Sequence, residues 1–192
     1  ILRNQALSPD IAPAGSFLQD LQVSADGNTV VIADASFWRK SPAIIVYDVE
    51  TGEARRVLES HASVSAENYV IRSGDREMKF FGGVVALRGG VDGIALGPEW
   101  LYYGALSGSG LYRVLLKDLL DESLPPNQLA NRVERIGDKP LSDGLSIDIE
   151  CNIYITDVEH GSIFVTGAGK NLKTLIQAPD LRWPDALSFG PD

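Results

Sequence analysis

One cysteine, two histidines and one methionine are all that this 192-residue chain carries of those residue types. A single cysteine, Cys151, excludes an internal disulfide. It stands in a tight reversal where glycine would sit more comfortably. No Lys or His beside it in sequence lowers its thiol pKa, so it reads as a bystander. His61 and His160 are too far apart to form a metal motif; His160 reads as a polar loop residue and a candidate for a pocket rim. Positive charge is scarce too: 17 basic against 26 acidic residues give a net charge of −9. That argues against nucleic acid and anionic membrane surfaces, which demand a basic face, and is compatible with a cation or an amine. No apolar run approaches the roughly 20 residues that span a bilayer. No phosphate loop, dinucleotide fingerprint or Ser–His–Asp order is present. The opening Ile1-Leu2-Arg3-Asn4 is not a natural start; it reads as an excerpt or processed product, so a missing signal peptide says little about export.

What the chain has in abundance is turns: nineteen glycines and ten prolines among short runs of β-branched and aromatic residues. Leu141–Asp157 (LSDGLSIDIECNIYITD) reads as strand, reversal, strand. The same pattern recurs at Leu18–Ala33, at Val91–Ala105 and from Trp183 onward, so the chain is a repeat of stacked supersecondary units. The first unit has strands at 17–24, 29–35, 43–48 and 54–58, with an Asp26-Gly27 hairpin turn. That is a four-stranded antiparallel meander, the unit of a propeller blade. The second unit runs over 91–137 and carries a helical insertion, 115–131, between its third and fourth strands; its Gly97-Pro98-Glu99 turn is tighter than the others. The third runs over 141–178. A long connection, 59–90, joins the first two, and loops of that length are commonly functional. The spacing of Asp143 and Asp185 fits a repeat of roughly 40–45 residues. The expected architecture is all-β: one partial β-propeller domain over 1–192, with blades near 17–58, 91–137 and 141–178 and fragments of two neighbours at 1–7 and 183–192. Three blades do not close a ring, so a longer parent supplying the remainder is expected.

In a blade of this order the start of the inner strand and the loop between strands two and three share one face of the disc. Three sets of residues converge there: the column Gln19, Asp92, Asp143 and Asp185; the loops holding Phe37-Trp38-Arg39, 107–110 and 157–160; and the end of the long connection, 82–90. Carboxylate and amide oxygens suit Ca²⁺ or another hard divalent cation. Carboxylates this close either hold a cation or share a proton. The simpler alternative is that each Asp-Gly accepts backbone hydrogen bonds and stabilises a turn. Trp38 and Arg39 are candidates for a stacking and anion-holding pair.

The stretches VDGIAL, EWLYYGALSGSGLYRV and SDGLSIDIECNIYITDVEHGSI resemble the major royal jelly protein/Yellow family, and most closely its bacterial members labelled dopachrome-tautomerase-related. The resemblance covers about 17–192. It implies a six-bladed β-propeller, a small-molecule pocket at one end of the channel that takes biogenic amines in known relatives, and export to an extracellular or periplasmic location. A more distant similarity, to gluconolactonase/regucalcin/paraoxonase-like propellers, implies a divalent metal on the channel axis. Gln19, Asp92 and Asp143 fall where those families place Asn or Asp ligands, and Gln19 departs from the usual Asn.

Three readings follow. The first is a binding propeller that holds a small cationic or aromatic molecule through Gln19, Trp38, Arg39, Asp92, Asp143, His160 and Asp185. The second is a metal-dependent hydrolase of the lactonase type with Asp92 and Asp143 as ligands. The third is a protein-interaction scaffold.

Overall fold

The computed structural model describes residues 4–167 and 171–189. Three four-stranded antiparallel sheets account for most of it. The first holds β1 (Leu18–Val23), β2 (Thr29–Asp34), β3 (Ala43–Asp48) and β4 (Ala54–Val57) in sequential order. The connection that follows forms two small hairpins, β5 (Arg72–Ser73) with β6 (Arg76–Glu77) and β7 (Lys79–Phe80) with β8 (Val85–Ala86). The second sheet holds β9 (Val91–Leu96), β10 (Trp100–Ala105), β11 (Gly110–Leu115) and β12 (Glu134–Asp138). The insertion between β11 and β12 is helical, α1 (Leu116–Leu120) and α2 (Pro126–Ala130). The third sheet holds β13 (Leu145–Ile147), β14 (Asn152–Asp157), β15 (Ser162–Gly167) and β16 (Lys173–Gln177). Each sheet is a meander of the propeller-blade kind, and no sheet closes on itself. No helix among the described residues is long and apolar enough to cross a membrane.

Two-residue periodicity stacks the blades. Alternate residues of a strand face opposite sides of its sheet, and β10 uses both. Leu101 and Tyr103 point into a core shared with Val31, Ile44, Val46 and Val57 of the first blade. Tyr102 points the other way, into a core with Leu145, Ile153 and Ile155 of the third. The inner strands approach closely: a Cβ on Gly93 of β9 would lie 2.9 Å from Asp143 O and Leu145 N. A third apolar cluster, Ile71, Leu106, Leu141 and Val158 with Leu87 and Trp183 packed on it, seats the long connection over one face of the second and third blades.

The turn chemistry follows the residues. The Gly97–Glu99 reversal is closed by a 2.9 Å bond from Gly97 N–H to Trp100 O. Cys151 has φ +61, a left-handed conformation that costs an L-residue roughly 1–2 kcal/mol. Cys151→Gly should therefore raise stability by about 0.5–1 kcal/mol, because glycine's greater unfolded-state entropy offsets part of that strain. Urea unfolding of the two proteins reads the difference; a destabilised variant would contradict the assignment of strain.

Two expectations shift. The third blade's inner strand begins at Leu145, inside the Leu141–Asp157 stretch rather than at its head, because Thr156 Oγ1 accepts the Gly144 N–H at 2.9 Å and Ser142 Oγ donates to Gly144 O at 3.0 Å. The Gly144 N–H thus goes to a side chain, while Gly144 O still accepts the Thr156 N–H at 3.1 Å. The expected flanking fragments form no strand where they are described, at 4–7 and 183–189. An extended segment without a neighbour leaves its backbone groups without ladder partners. Residues 1–3 and 190–192 lie outside the described residues.

Candidate functional site

A cleft of about 330 Å³ opens where the inner strands begin. Gln19, Trp38, Asp92 and Asp143 line it, with Phe37, Phe80 and Trp183. It thus joins the inner-strand column, the β2–β3 loop and the end of the long connection, the three sets that strand order places on one face. The aromatic wall is continuous: ring centroids are 4.7 Å apart for Phe37–Trp38, 5.4 Å for Phe37–Phe80 and 5.7 Å for Trp38–Phe80.

The floor is acidic, with Asp92 buried and Asp20 and Asp143 half-buried. Asp92 is 3% exposed, and its Oδ2 has no hydrogen-bond partner. Burial, then the repulsion of Asp143 and Asp185 and a carboxyl–carboxylate hydrogen bond to Asp143, pushes Asp92 up to about 9. Asp143 is also raised, chiefly by burial; the indole N–H of Trp183, 2.5 Å from its Oδ2, works against the shift. Asp20 is raised by burial, opposed by the N–H groups of Ile94 (3.0 Å) and Leu21 (2.7 Å). Behind them lies Lys139, 5% exposed, with Nζ donating to Ala105 O at 2.8 Å and Pro140 O at 3.1 Å. Burial pulls its pKa down to about 7, against the attraction of Asp92, Glu67, Asp143 and Asp157.

Lys139 has a testable signature. Its folded pKa lies below that of an unfolded lysine, so its stabilising share is complete above about 10.5 and is lost as pH falls through about 7. Asp92 has the opposite sign: its share is complete below about 3.8 and is lost as pH rises through about 9. Between pH 7 and 9 the two slopes oppose each other. Lys139→Met should therefore leave the Asp92 slope uncovered, with stability falling as pH rises from 7 to 9. Urea unfolding across that range measures it; an unchanged, flat profile would remove Lys139 from the linkage.

The candidate residues divide. Gln19, Trp38, Asp92 and Asp143 meet at the cleft. Asp185 is exposed and outside the lining, although its charge raises Asp20, Asp92 and Asp143. Its segment is pinned: a Cβ on Gly144 would sit 1.8 Å from Asp185 O. Arg39 turns away, its Nη1 2.6 Å from Glu59 Oε1 and 3.2 Å from Ser41 O, so it does not stack with Trp38 as a pair. Neighbouring residues of this loop point in different directions, and the partners of Trp38 are phenylalanines. His160 caps its own loop: Nδ1 lies 2.9 Å from Asp157 Oδ2, and its N–H donates to Asp157 Oδ1 at 3.1 Å. It lines a separate cleft with Trp183 and Arg182.

Asp20, Lys139 and Trp183 were not foreseen. The register of β1 against β2 slips between Leu18 and Leu21, and such an irregularity re-aims side chains. Gln19 faces the cleft while Asp20 reaches across to β9. Lys139 lies in the link between blades two and three and carries no pattern of its own. Trp183 begins the repeat after the third blade, which marked it as strand rather than site.

A divalent metal fits this donor set poorly. Among the described residues no three His, Cys, Asp or Glu side chains are arranged to hold one. Asp143 already accepts the Trp183 indole N–H, and Lys139 places a basic nitrogen close by. The unpartnered Asp92 Oδ2 is one ligand atom, not a cage.

Comparison with known proteins adds the lineage. The sequence profile described as "Major royal jelly protein" matches residues 1–188. No curated protein sequence matches. Among solved structures, a chain of a nidogen/laminin complex superposes with a TM-score of 0.58 at 15% identity, over 87% of this chain and 50% of that one. This chain therefore spans about half the length of that neighbour, and at that identity the likeness speaks to the propeller fold alone. A virginiamycin B lyase from Staphylococcus aureus is a looser match, with a TM-score of 0.44 at 13% identity over 88% of this chain and 58% of that one. With blades, inner-strand column and profile in agreement, this chain belongs to the major royal jelly protein family.

Proposed function

We propose that this protein binds a small organic cation, an amine on an aromatic or apolar body, at the mouth of the propeller channel. The observation that carries the reading is Asp92: a buried carboxyl group with one oxygen unpartnered, lining a cleft walled by Phe37, Trp38 and Phe80. A buried polar atom without a partner is costly, and an ammonium group supplies the missing partner and charge together. Aromatic faces stabilise the same cation through their quadrupoles. A concave, mostly apolar cleft with a few convergent polar groups is the usual form of a small-molecule site. The small-molecule pocket that the family resemblance implies and the net charge of −9 point the same way.

The test is a thermal-shift titration with a panel of aromatic amines, run in parallel with Ca²⁺, Mg²⁺, Mn²⁺ and a chelator. A millimolar ligand of micromolar affinity stabilises the native state by roughly 4 kcal/mol through mass action. An amine response without metal, lost in Asp143→Ala and Asp92→Asn, supports the reading. A metal response lost in the same variants would replace it with a metal-dependent hydrolase, and lactone hydrolysis would then be assayed. Silence to both, with the variants folded, would leave a surface for another protein.

A further inference from the structure

A second cleft, about 240 Å³, lies beside the mouth and has the opposite electrostatic character. Three segments build it. The β2–β3 loop contributes Ser36 and Lys40, the chain after β4 contributes Ser65 to Asn68, and the end of the long connection contributes Arg88 and Gly90. Backbone bonds hold these together: Gly90 N–H donates to Ala35 O at 3.0 Å, Val91 N–H to Val64 O at 2.7 Å, and Glu67 N–H to Ser107 O at 2.7 Å. Gly90 permits the closeness, since a Cβ there would meet Pro42 Cβ at 2.3 Å and Val64 O at 2.8 Å.

Three observations on the lining belong together. Ser36 is 1% exposed, and its Oγ has no hydrogen-bond partner. Lys40 and Arg88 form no ion pair among the described residues, whereas Arg39, Arg55, Arg56, Arg72, Arg113, Arg132 and Arg135 each face a carboxylate. Among the described residues Arg76, Lys117, Lys139, Lys173 and Arg182 form no ion pair either; what sets the exposed Lys40 and Arg88 apart is that they line one cleft together. Ser36 and Lys40 both hold positive φ, +46 and +57, and non-glycine residues kept in that region mark positions that the surrounding structure determines. The one acid in the lining, Glu67, is already engaged: Ser109 N–H donates to its Oε1 at 2.9 Å, and Ser109 Oγ lies 3.2 and 3.1 Å from its two oxygens.

We propose that Ser36, Lys40 and Arg88 form a site for a small oxyanion, a phosphate or a carboxylate. The guanidinium of Arg88 offers a planar fork matched to two oxygens, Lys40 adds a point charge, and the Ser36 hydroxyl gains the partner it lacks. The net charge of the cleft is positive, because two cations outweigh the one engaged carboxylate. The site is independent of the amine reading: it shares no charged residue with the acidic floor.

Isothermal titration with inorganic phosphate and, separately, with acetate tests this at low ionic strength. At least one of the two should bind with millimolar or better affinity, and raising the salt to physiological strength should weaken it several-fold, as surface-accessible charge contacts require. Arg88→Gln and Lys40→Gln should each weaken binding about tenfold. Ser36→Ala, which removes the orphan hydroxyl without adding bulk, should weaken it several-fold. Asp92→Asn should leave it unchanged, so that failure of the amine site and failure of this one are read separately. Phosphate binding without acetate assigns a phosphate site, and the reverse a carboxylate site. No binding of either anion, or binding indifferent to Arg88→Gln in a variant whose circular dichroism is unaltered, overturns the proposal.

Discussion

Binding of a strongly basic primary amine such as 2-phenylethylamine, which stays an ammonium over the range, should tighten as pH rises from 5 to 8, by up to about tenfold per unit. The cause is competition with a proton. Asp92 is held up to about 9 by burial and by the charges of Asp143 and Asp185, so near neutrality the free site is protonated. A cation needs the ionised carboxylate and must expel that proton. Lys139 adds to the trend, since its deprotonation near 7 removes a competing positive charge. An amine that stays protonated over this range keeps its own charge constant, which isolates the protein's titration. Calorimetry in buffers of different ionisation enthalpy should report the release of about one proton at pH 7. Asp92→Asn should abolish binding and, being an uncharged match for the protonated acid, should also be more stable than the parent between pH 7 and 9. Affinity that is flat or falls with pH would show that Asp92 is not the anionic partner.

Asp34→Ala should cost about 3–5 kcal/mol, the largest stability loss expected from any single change here, because it strands a buried charge. Asp34 is fully buried and accepts four bonds: from Phe17 N–H (2.8 Å), Ser36 N–H (2.9 Å), Ser16 Oγ (2.8 Å) and Arg56 Nη1 (2.8 Å). The Arg56 side chain is 7% exposed and also ties Ile11 O and Ser41 O, and its Nη2 lies 3.4 Å from the half-exposed, Arg39-paired Glu59 Oε1, a weaker partner than Asp34. The pair fastens the segment before β1 and the β2–β3 loop to the first blade, and that loop carries both Trp38 and Lys40. Arg56→Met added to Asp34→Ala should restore much of the loss, since a matched apolar replacement removes the stranded charge. Urea unfolding of the two single variants and the double variant gives the coupling. A loss under 1 kcal/mol for Asp34→Ala would mean that Arg56 finds another partner or reaches solvent.

Asp34 also shows how the repeats answer one another. In the third blade Asp157 occupies the same end of its second strand and accepts the N–H groups of Glu159 and His160 at 3.0 and 3.1 Å. That role explains why His160, legible in the sequence as a polar loop residue, is engaged by its own loop. Aspartates at the ends of second strands thus stabilise turns, a role that the sequence reading considers only for the Asp-Gly positions at inner-strand starts. At the starts of inner strands, Asp92 and Asp143 line a cleft instead. The physical difference is that backbone N–H groups point at the side chains of Asp34 and Asp157.

Strand-forming runs, turn residues and the repeat determined the blades by themselves, since a two-residue alternation and a glycine- or aspartate-bearing reversal are local properties. The same periodicity placed inner-strand starts and β2–β3 loops on one face, and so located the mouth and four of its lining residues. The strain at Cys151 was legible too, for the same local reason. Tertiary structure alone decided the rest. The slip in β1 chose Asp20 over Gln19 as the side chain that reaches the next blade. Packing of the long connection brought Phe80 to Trp38 and Arg88 to the cleft that Lys40 lines. Burial, which no stretch of sequence records, pushed the pKa of Asp92 up and that of Lys139 down. Charges separated by dozens of residues act on one another only after the blades stack, and desolvation exists only once the surrounding atoms have excluded water.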